Sequence, residues 1–343
     1  MPVDDLLREP HRVRPDLLPQ ISATQELRGS RGKIYRPTAG LLAAVNVALD
    51  LQRPLLLTGE PGCGKTDFAF ACAGALGAVL RQSAGDSMLL SCSVRSDTRA
   101  RDFLYTHDAV RRFGDAQFGG DEGRQRAQDP RHYVDLQPLG IALASPRRRV
   151  VLIDEIDKAP RDLPNDLLRE LDKTVFTILE IPGRVPEGQV TSHGIPLRKE
   201  MIRPDGSPAP LIIITSNVEN QLPDAFLRRC IFWDIKFPED ELPDILEDHF
   251  PTQGAYDARF RAASISIFRE LRKVNALAKR PATAELLDWV AAIGRVLHPD
   301  AADTVRAFAA QIDNGVRPLP WSKLPALSCL IKLRDDLSTL SRL

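Results

Sequence analysis

The pattern of apolar positions changes character near residue 238. Before it, short unbroken apolar runs alternate with segments whose apolar residues recur every three or four positions. The runs are Leu55-Leu56-Leu57-Thr58, Met88-Leu89-Leu90-Ser91-Cys92-Ser93-Val94, Val150-Val151-Leu152-Ile153, Leu211-Ile212-Ile213-Ile214-Thr215 and Ile231 to Phe237. Strands without polar alternation suit a parallel sheet covered by helices on both faces. The periodic segments predict helices over 39–50, with Leu41, Leu42, Val45, Val47 and Ala48 inward, and over about 66–80. A third is predicted over 162–173, with Leu163, Leu167, Leu168 and Leu171 inward. After Pro238 no strand pattern returns, and helical periodicity covers 265–278, 284–296, 301–311 and 324–340. The fold class is therefore α/β, with a parallel sheet between helices followed by an all-helical domain. The expected division is a Pro-, Arg- and Leu-rich arm over 1–34, an α/β domain over 35–238 and a helical domain over 239–343.

Two stretches interrupt the alternation. Residues 95–130 carry Arg95, Arg99, Arg101, Arg111, Arg112, Arg124 and Arg126, with glycines at 114, 119, 120 and 123, which predicts a glycine-rich loop. The arginines suit a basic surface that touches a substrate or a neighbouring subunit. Interleaved Asp97, Asp102, Asp108, Asp115, Asp121 and Glu122 equally suit a solvated charged face. Residues 175–208 alternate extended pieces with Pro and Gly and read as an inserted hairpin.

The candidate chemistry sits at the ends of the apolar runs. Between the first run and a helical segment lies Gly59-Glu60-Pro61-Gly62-Cys63-Gly64-Lys65-Thr66, a glycine-rich loop with the spacing that cradles phosphates. Glycines let backbone N–H groups converge on a polyphosphate, and the helix that begins near Asp67 adds its positive end. Lys65 is expected to reach the β- and γ-phosphates and Thr66 to bind Mg²⁺. The third run ends in Asp154-Glu155. The first carboxylate suits the metal and the second suits orienting and deprotonating an attacking water, which means hydrolysis. Alone, such a pair is as readily a solvated strand end. Asn217 follows the fourth run, where it either hydrogen-bonds the attacking water or simply forms a turn. Arg228 and Arg229 stand before the last run, either as solvated partners of carboxylates or as the planar cation that a γ-phosphate needs from a neighbouring protomer. Arg280 is expected to open a helix in the C-terminal domain, from which it would reach back over a nucleotide.

Taken in order, these residues resemble an AAA+ ATPase. The loop, Ile153-Asp154-Glu155-Ile156-Asp157-Lys158-Ala159-Pro160 and Leu222-Pro223-Asp224-Ala225-Phe226-Leu227-Arg228-Arg229 look most like its MoxR branch, over about residues 35–295. The resemblance implies roles: Walker A for 59–66, Walker B for Asp154-Glu155, sensor 1 for Asn217, arginine finger for Arg229 with Arg228 as the alternative, and sensor 2 for Arg280. It implies ATP and Mg²⁺ as ligands and a hexameric ring with ATP between protomers. It also implies a protein client or a partner carrying a von Willebrand factor A domain. Many relatives have Asp-Arg-Phe where this chain has Arg228-Arg229-Cys230. The adenine is expected near Tyr35–Thr38, and Asp67 is counted with Tyr35 and residues 59–66 among the cofactor-binding residues.

Composition narrows the partners. Acidic and basic residues balance at 46 each among 343, so no bulk positive field favours nucleic acid or a membrane surface. Arginines of 95–131 lining a ring pore would suit a nucleic-acid motor; a slow nucleotide switch or scaffold is a further alternative. The five cysteines lack CxxC spacing, and Met1-Pro2-Val3-Asp4-Asp5 lacks an apolar leader core, so the expected location is the cytoplasm. Cys63, inside the loop at a helix start, reads as a small residue at a tolerant position, with redox control as the alternative.

Overall fold

The computed structural model describes residues 21, 27–29, 34–79, 88–171, 175–217, 222–252, 256–295 and 299–342. Most of the expected 1–34 arm lies outside them. Contacts between Cα atoms divide the chain into two units. One holds Pro37–Thr58 and Phe68–Asp234, and the other holds residues 34–36, Gly59–Asp67 and Ile235–Leu343.

The first unit opens with α1 (Ala39–Leu51), capped by the Thr38 hydroxyl, which accepts from Leu41 N. Its Leu41, Leu42, Val45 and Ala48 are buried, but Val47 is on the outer side, 37 % exposed. At 3.6 residues per turn position 47 points away from the stripe set by 41, 45 and 48. Then come β1 (Leu55–Thr58), α2 (Lys65–Val79) and β2 (Leu89–Ser93).

The 95–130 stretch contradicts the expected glycine-rich loop. It folds into β3 (Tyr105–His107), α3 (Ala109–Phe118) and α4 (Gly120–Ala127), after which β4 (Val134–Leu136) pairs antiparallel with β3. Asp108 caps α3 by accepting from Arg111 N. The glycines serve packing here: a Cβ at Gly119 would lie 2.8 Å from the Gly123 Cα of α4, so glycine lets the two helices meet.

The chain continues through α5 (Pro138–Ala144), β5 (Val150–Asp154) and α6 (Leu163–Leu171). The expected hairpin follows in two tiers. The strands β6 (Val175–Thr177), β7 (Thr191–Ser192), β8 (Ile195–Pro196) and β9 (Glu200–Ile202) pair β6 with β9 and β7 with β8. Next come β10 (Leu211–Thr215), α7 (Asp224–Leu227) and β11 (Ile231–Asp234).

The five apolar runs form one parallel sheet in the order β11-β1-β10-β5-β2. Leu55 pairs with Ile213 on one side and Ile231 on the other, and Ile213 pairs with Leu152. Leu55–Leu57 and Val150–Ile153 are at most 1 % exposed, as expected for strands covered on both faces. Each such side chain contributes about 2 kcal/mol when fully buried. All five strands run the same way, so Thr58, Asp154 and Thr215 finish on one edge of the sheet.

The second unit is helical: α8 (Leu242–His249), α9 (Ala258–Arg272), α10 (Thr283–Arg295), α11 (Pro299–Asp313), α12 (Leu327–Leu330) and α13 (Arg334–Leu340). Trp289, Phe260, Phe268, Leu286 and Val290 centre its core. The helix expected over 265–278 instead begins at Ala258, after its Asp257 cap, and stops at Arg272. Beyond it the N–H groups of Ala278 and Lys279 donate to the Asp336 carboxylate, 3 % exposed, rather than to helical carbonyls. The single helix expected over 324–340 is broken. Ala326 is left-handed (φ 52°), the Pro325 carbonyl accepts from the Trp289 indole, and the chain is extended at Ile331 and Leu333. Among the described residues no helix is long and apolar enough to cross a membrane.

Candidate functional site

The loop after β1 is built from backbone conformations that exclude most side chains. Gly59, Gly62 and Gly64 all have positive φ, and a Cβ at Gly59 would sit 2.4 Å from the carbonyl oxygen of Ile235. The curl ends where α2 starts at Lys65, so the lysine occupies the first helical position. Lys65 is 7 % exposed; its ammonium donates to the carbonyl oxygens of Gly59 (2.7 Å) and Glu60 (3.1 Å) and lies 3.9 Å from the Cys63 sulfur. Cys63 is buried. Thr66 and Asp67 follow, half-buried, in the first turn of α2.

Residues expected around the base and lid also pack in the unit that holds the loop. The Tyr35 ring would be 3.1 Å from a Cβ at Gly64. Its neighbour Arg36 grips Asp248 of α8 through two hydrogen bonds of 2.6 and 3.0 Å, which anchors the segment. A Cβ at Gly62 would be 2.9 Å from the Ala282 Cβ, at the entry to α10. Arg280 does not open that helix. It lies three residues before it, exposed, and donates to Asn275 Oδ1 at 3.2 Å.

The strand-end residues form a second cluster, inside the sheet unit. Thr215, the last residue of β10, is 1 % exposed. Its hydroxyl donates to Asp154 Oδ1 at 2.5 Å and accepts from the Glu155 N–H at 2.9 Å. One hydroxyl therefore fixes both members of the acidic pair. Glu155 has left-handed dihedrals (φ 58°, ψ 53°), which cost a non-glycine residue energy and turn its side chain off the strand line. Its carboxylate lies 2.5 Å from Lys158 Nζ, and that hydrogen bond raises the lysine's pKa. Ser216 prolongs the β10–β1 ladder by donating to the Leu57 carbonyl, and Asn217 N–H donates to Asp157 Oδ1 at 3.1 Å. Arg228 and Arg229 turn the chain from α7 into β11, and both are exposed.

Thr215 was not singled out by sequence reasoning. Its signal is a hydroxyl ending an apolar run beside a strand that ends in a carboxylate. Arg272 was missed as well, because its partner Glu60 is 212 positions away. Arg131, counted among the arginines that would line a pore, is corrected by its burial. It is 4 % exposed, with its guanidinium on the Asp129 carboxylate and on the carbonyls of Pro186 and Gly188.

The Thr66 hydroxyl at the helix start and the Asp154 carboxylate held by Thr215 are each hard oxygen donors of the kind Mg²⁺ takes. Among the described residues no cluster of three or more His, Cys, Asp or Glu forms a metal cage.

No curated protein matches the chain. A family model for the AAA domain, dynein-related subfamily, matches residues 54–230, just over half of the 343. That span runs from the start of β1 to the turn before β11 and contains the loop, the acidic strand end, Asn217 and the arginine pair. The chain belongs to the AAA domain family, in its dynein-related subfamily.

Proposed function

We propose that this protein is an ATP-hydrolysing AAA+ motor of the MoxR type that works as an oligomeric ring and remodels a protein partner in the cytoplasm. The observation that carries the reading is the loop itself. Three positive-φ glycines bend the backbone between a buried strand and a helix, and Lys65 is poised at the first position of that helix. Loop N–H groups and Lys65 bind the phosphates. Thr66 and Asp154 hold Mg²⁺, which when bound offsets phosphate charge. Glu155 orients and deprotonates the attacking water, and Asn217 positions it. Arg229, or its neighbour Arg228, reaches the nucleotide of the next protomer and stabilises charge as it develops on the γ-phosphate. Arg280 senses the nucleotide from the helical region. The partner is a protein client or a von Willebrand factor A domain protein.

Glu155→Gln tests the assignment. It keeps the shape and removes the base, so ATP binding should persist while turnover falls at least about 100-fold. With ATP, the variant should accumulate as a ring detectable by light scattering. Unchanged turnover would remove Glu155 from the chemistry, and a monomer under those conditions would remove the ring.

A further inference from the structure

We infer that Arg272 is a positioning residue for the nucleotide, acting through Glu60 of the loop. The inference rests on reading that loop as the ATP site. Arg272 ends α9, and its guanidinium is used on every side. One nitrogen donates to Glu60 Oε2 at 2.9 Å and another to the Pro281 carbonyl at 2.5 Å. The plane lies 3.7 Å from the centre of the Phe237 ring, which itself stacks on Phe268. A planar fork pinned by an aromatic face has little freedom left, so what it holds is held in register.

Glu60 is gripped at both ends. Its carboxylate takes Arg272, and its backbone carbonyl takes the Lys65 ammonium at 3.1 Å. The same arginine holds Pro281, whose neighbour Ala282 meets the loop at Gly62. Asp336 fixes the chain just before, through Ala278 and Lys279 N–H. Arg272 thus ties the first turn of the loop and the segment carrying Arg280 to one rigid point.

A phosphate site needs several N–H groups aimed together, and their ordering subtracts from affinity unless it is done beforehand. The Glu60 side chain is 49 % exposed, so the pair adds little to folding stability. Its effect belongs in ligand affinity.

The sign of the effect separates this role from plain electrostatics. Removing a carboxylate beside a polyphosphate should, on charge alone, tighten binding. Glu60→Gln is instead expected to weaken binding of a fluorescent ATP analogue about tenfold, mid-range for coupled contacting residues. Arg272→Gln should weaken it similarly, the double variant no further, and Arg272→Lys should recover part of the loss. The melting temperature of Glu60→Gln without nucleotide should not move, because Arg272 keeps Pro281 and Phe237. Wild-type affinity in Glu60→Gln, or losses that simply add in the double variant, would overturn the inference. A folded wild-type protein that binds no ATP would instead overturn the reading of the loop itself, and this one with it.

Discussion

The glycine-rich loop and the strand-end cluster are held in different ways. Asp154 and Glu155 are fixed from within the sheet unit, by the Thr215 hydroxyl of the adjacent strand and by the parallel register that lines up the ends of β5 and β10. The loop over 59–67 follows β1 in the chain, yet its neighbours are helical-unit residues: Arg272 on Glu60, Ala282 against Gly62, and Ile235 against Gly59. Asp154 and Glu155, proposed for metal and water, thus take their positions from within the sheet unit. The loop proposed to hold the phosphates rests instead on residues of its own unit that are distant in the chain, Arg272 lying 212 positions from Glu60. For the motor proposed above such a difference is useful, because chemistry demands fixed geometry while coupling demands a part that can be acted on from elsewhere.

The sharpest break would come from Lys65→Ala. It removes the only loop side chain assigned to the phosphates and should lower ATP affinity at least about 100-fold, since charge-assisted contacts to phosphate are among the strongest. An isothermal titration that still shows tight binding would dissolve the division described above. Next in size is Thr215→Val. It preserves shape but leaves Asp154 and the Glu155 N–H without the hydroxyl, at about 1–3 kcal/mol of stability. Hydrolysis should slow while the KM for ATP holds, and Thr215→Ser should restore the rate. A raised KM with an intact kcat would mean that the strand ends serve binding instead.

Gly62→Ala tests the loop from the other side. At φ 80° and 2.9 Å from Ala282, the added methyl is strained and crowded. ATP affinity should drop several-fold, with about 1 kcal/mol lost from stability. The smallest effect is a pH effect confined to the sheet unit. Burial works to raise the Asp129 carboxyl, but the hydrogen bonds and charge of Arg131 outweigh it and hold it below the usual aspartate range. A depressed folded pKa gives stability that is present above the ordinary aspartate value and lost as pH falls through the folded one. Melting temperature should therefore fall as pH drops below the ordinary aspartate value, and Asp129→Asn should flatten that part of the curve. An identical slope in the variant would assign the acid sensitivity elsewhere.

Much of this was legible in the sequence, for a physical reason. The three inner strands of the sheet are apolar on both faces, so β1, β5 and β10 appear as unbroken apolar runs. Sites at the ends of such runs inherit that clarity, which is why Lys65 and Asp154 stand out. The 95–130 stretch was opaque because its helices α3 and α4 bury little: no side chain of α3 is buried, and Gly119 packs where a turn was expected. Arg272, Arg131 and Asp336 were unreadable for another reason. Each is a charged residue of ordinary appearance whose meaning lies in distant backbone or side-chain partners. Local pattern records which residues are apolar, and has no term for contacts across half the chain.

The clamp made by Arg131 has a mechanical side. Its hold on Pro186 and Gly188 is joined by the Ser192 hydroxyl, which accepts from Leu136 N–H, and by Tyr105, whose hydroxyl accepts from Leu179 N–H. The 175–202 hairpin and the 105–136 excursion are riveted at three points, so neither can swing without dragging the other. A tug on the hairpin's tip would be felt first by its companion, and the pair would behave as a single lever arm rather than two whiskers.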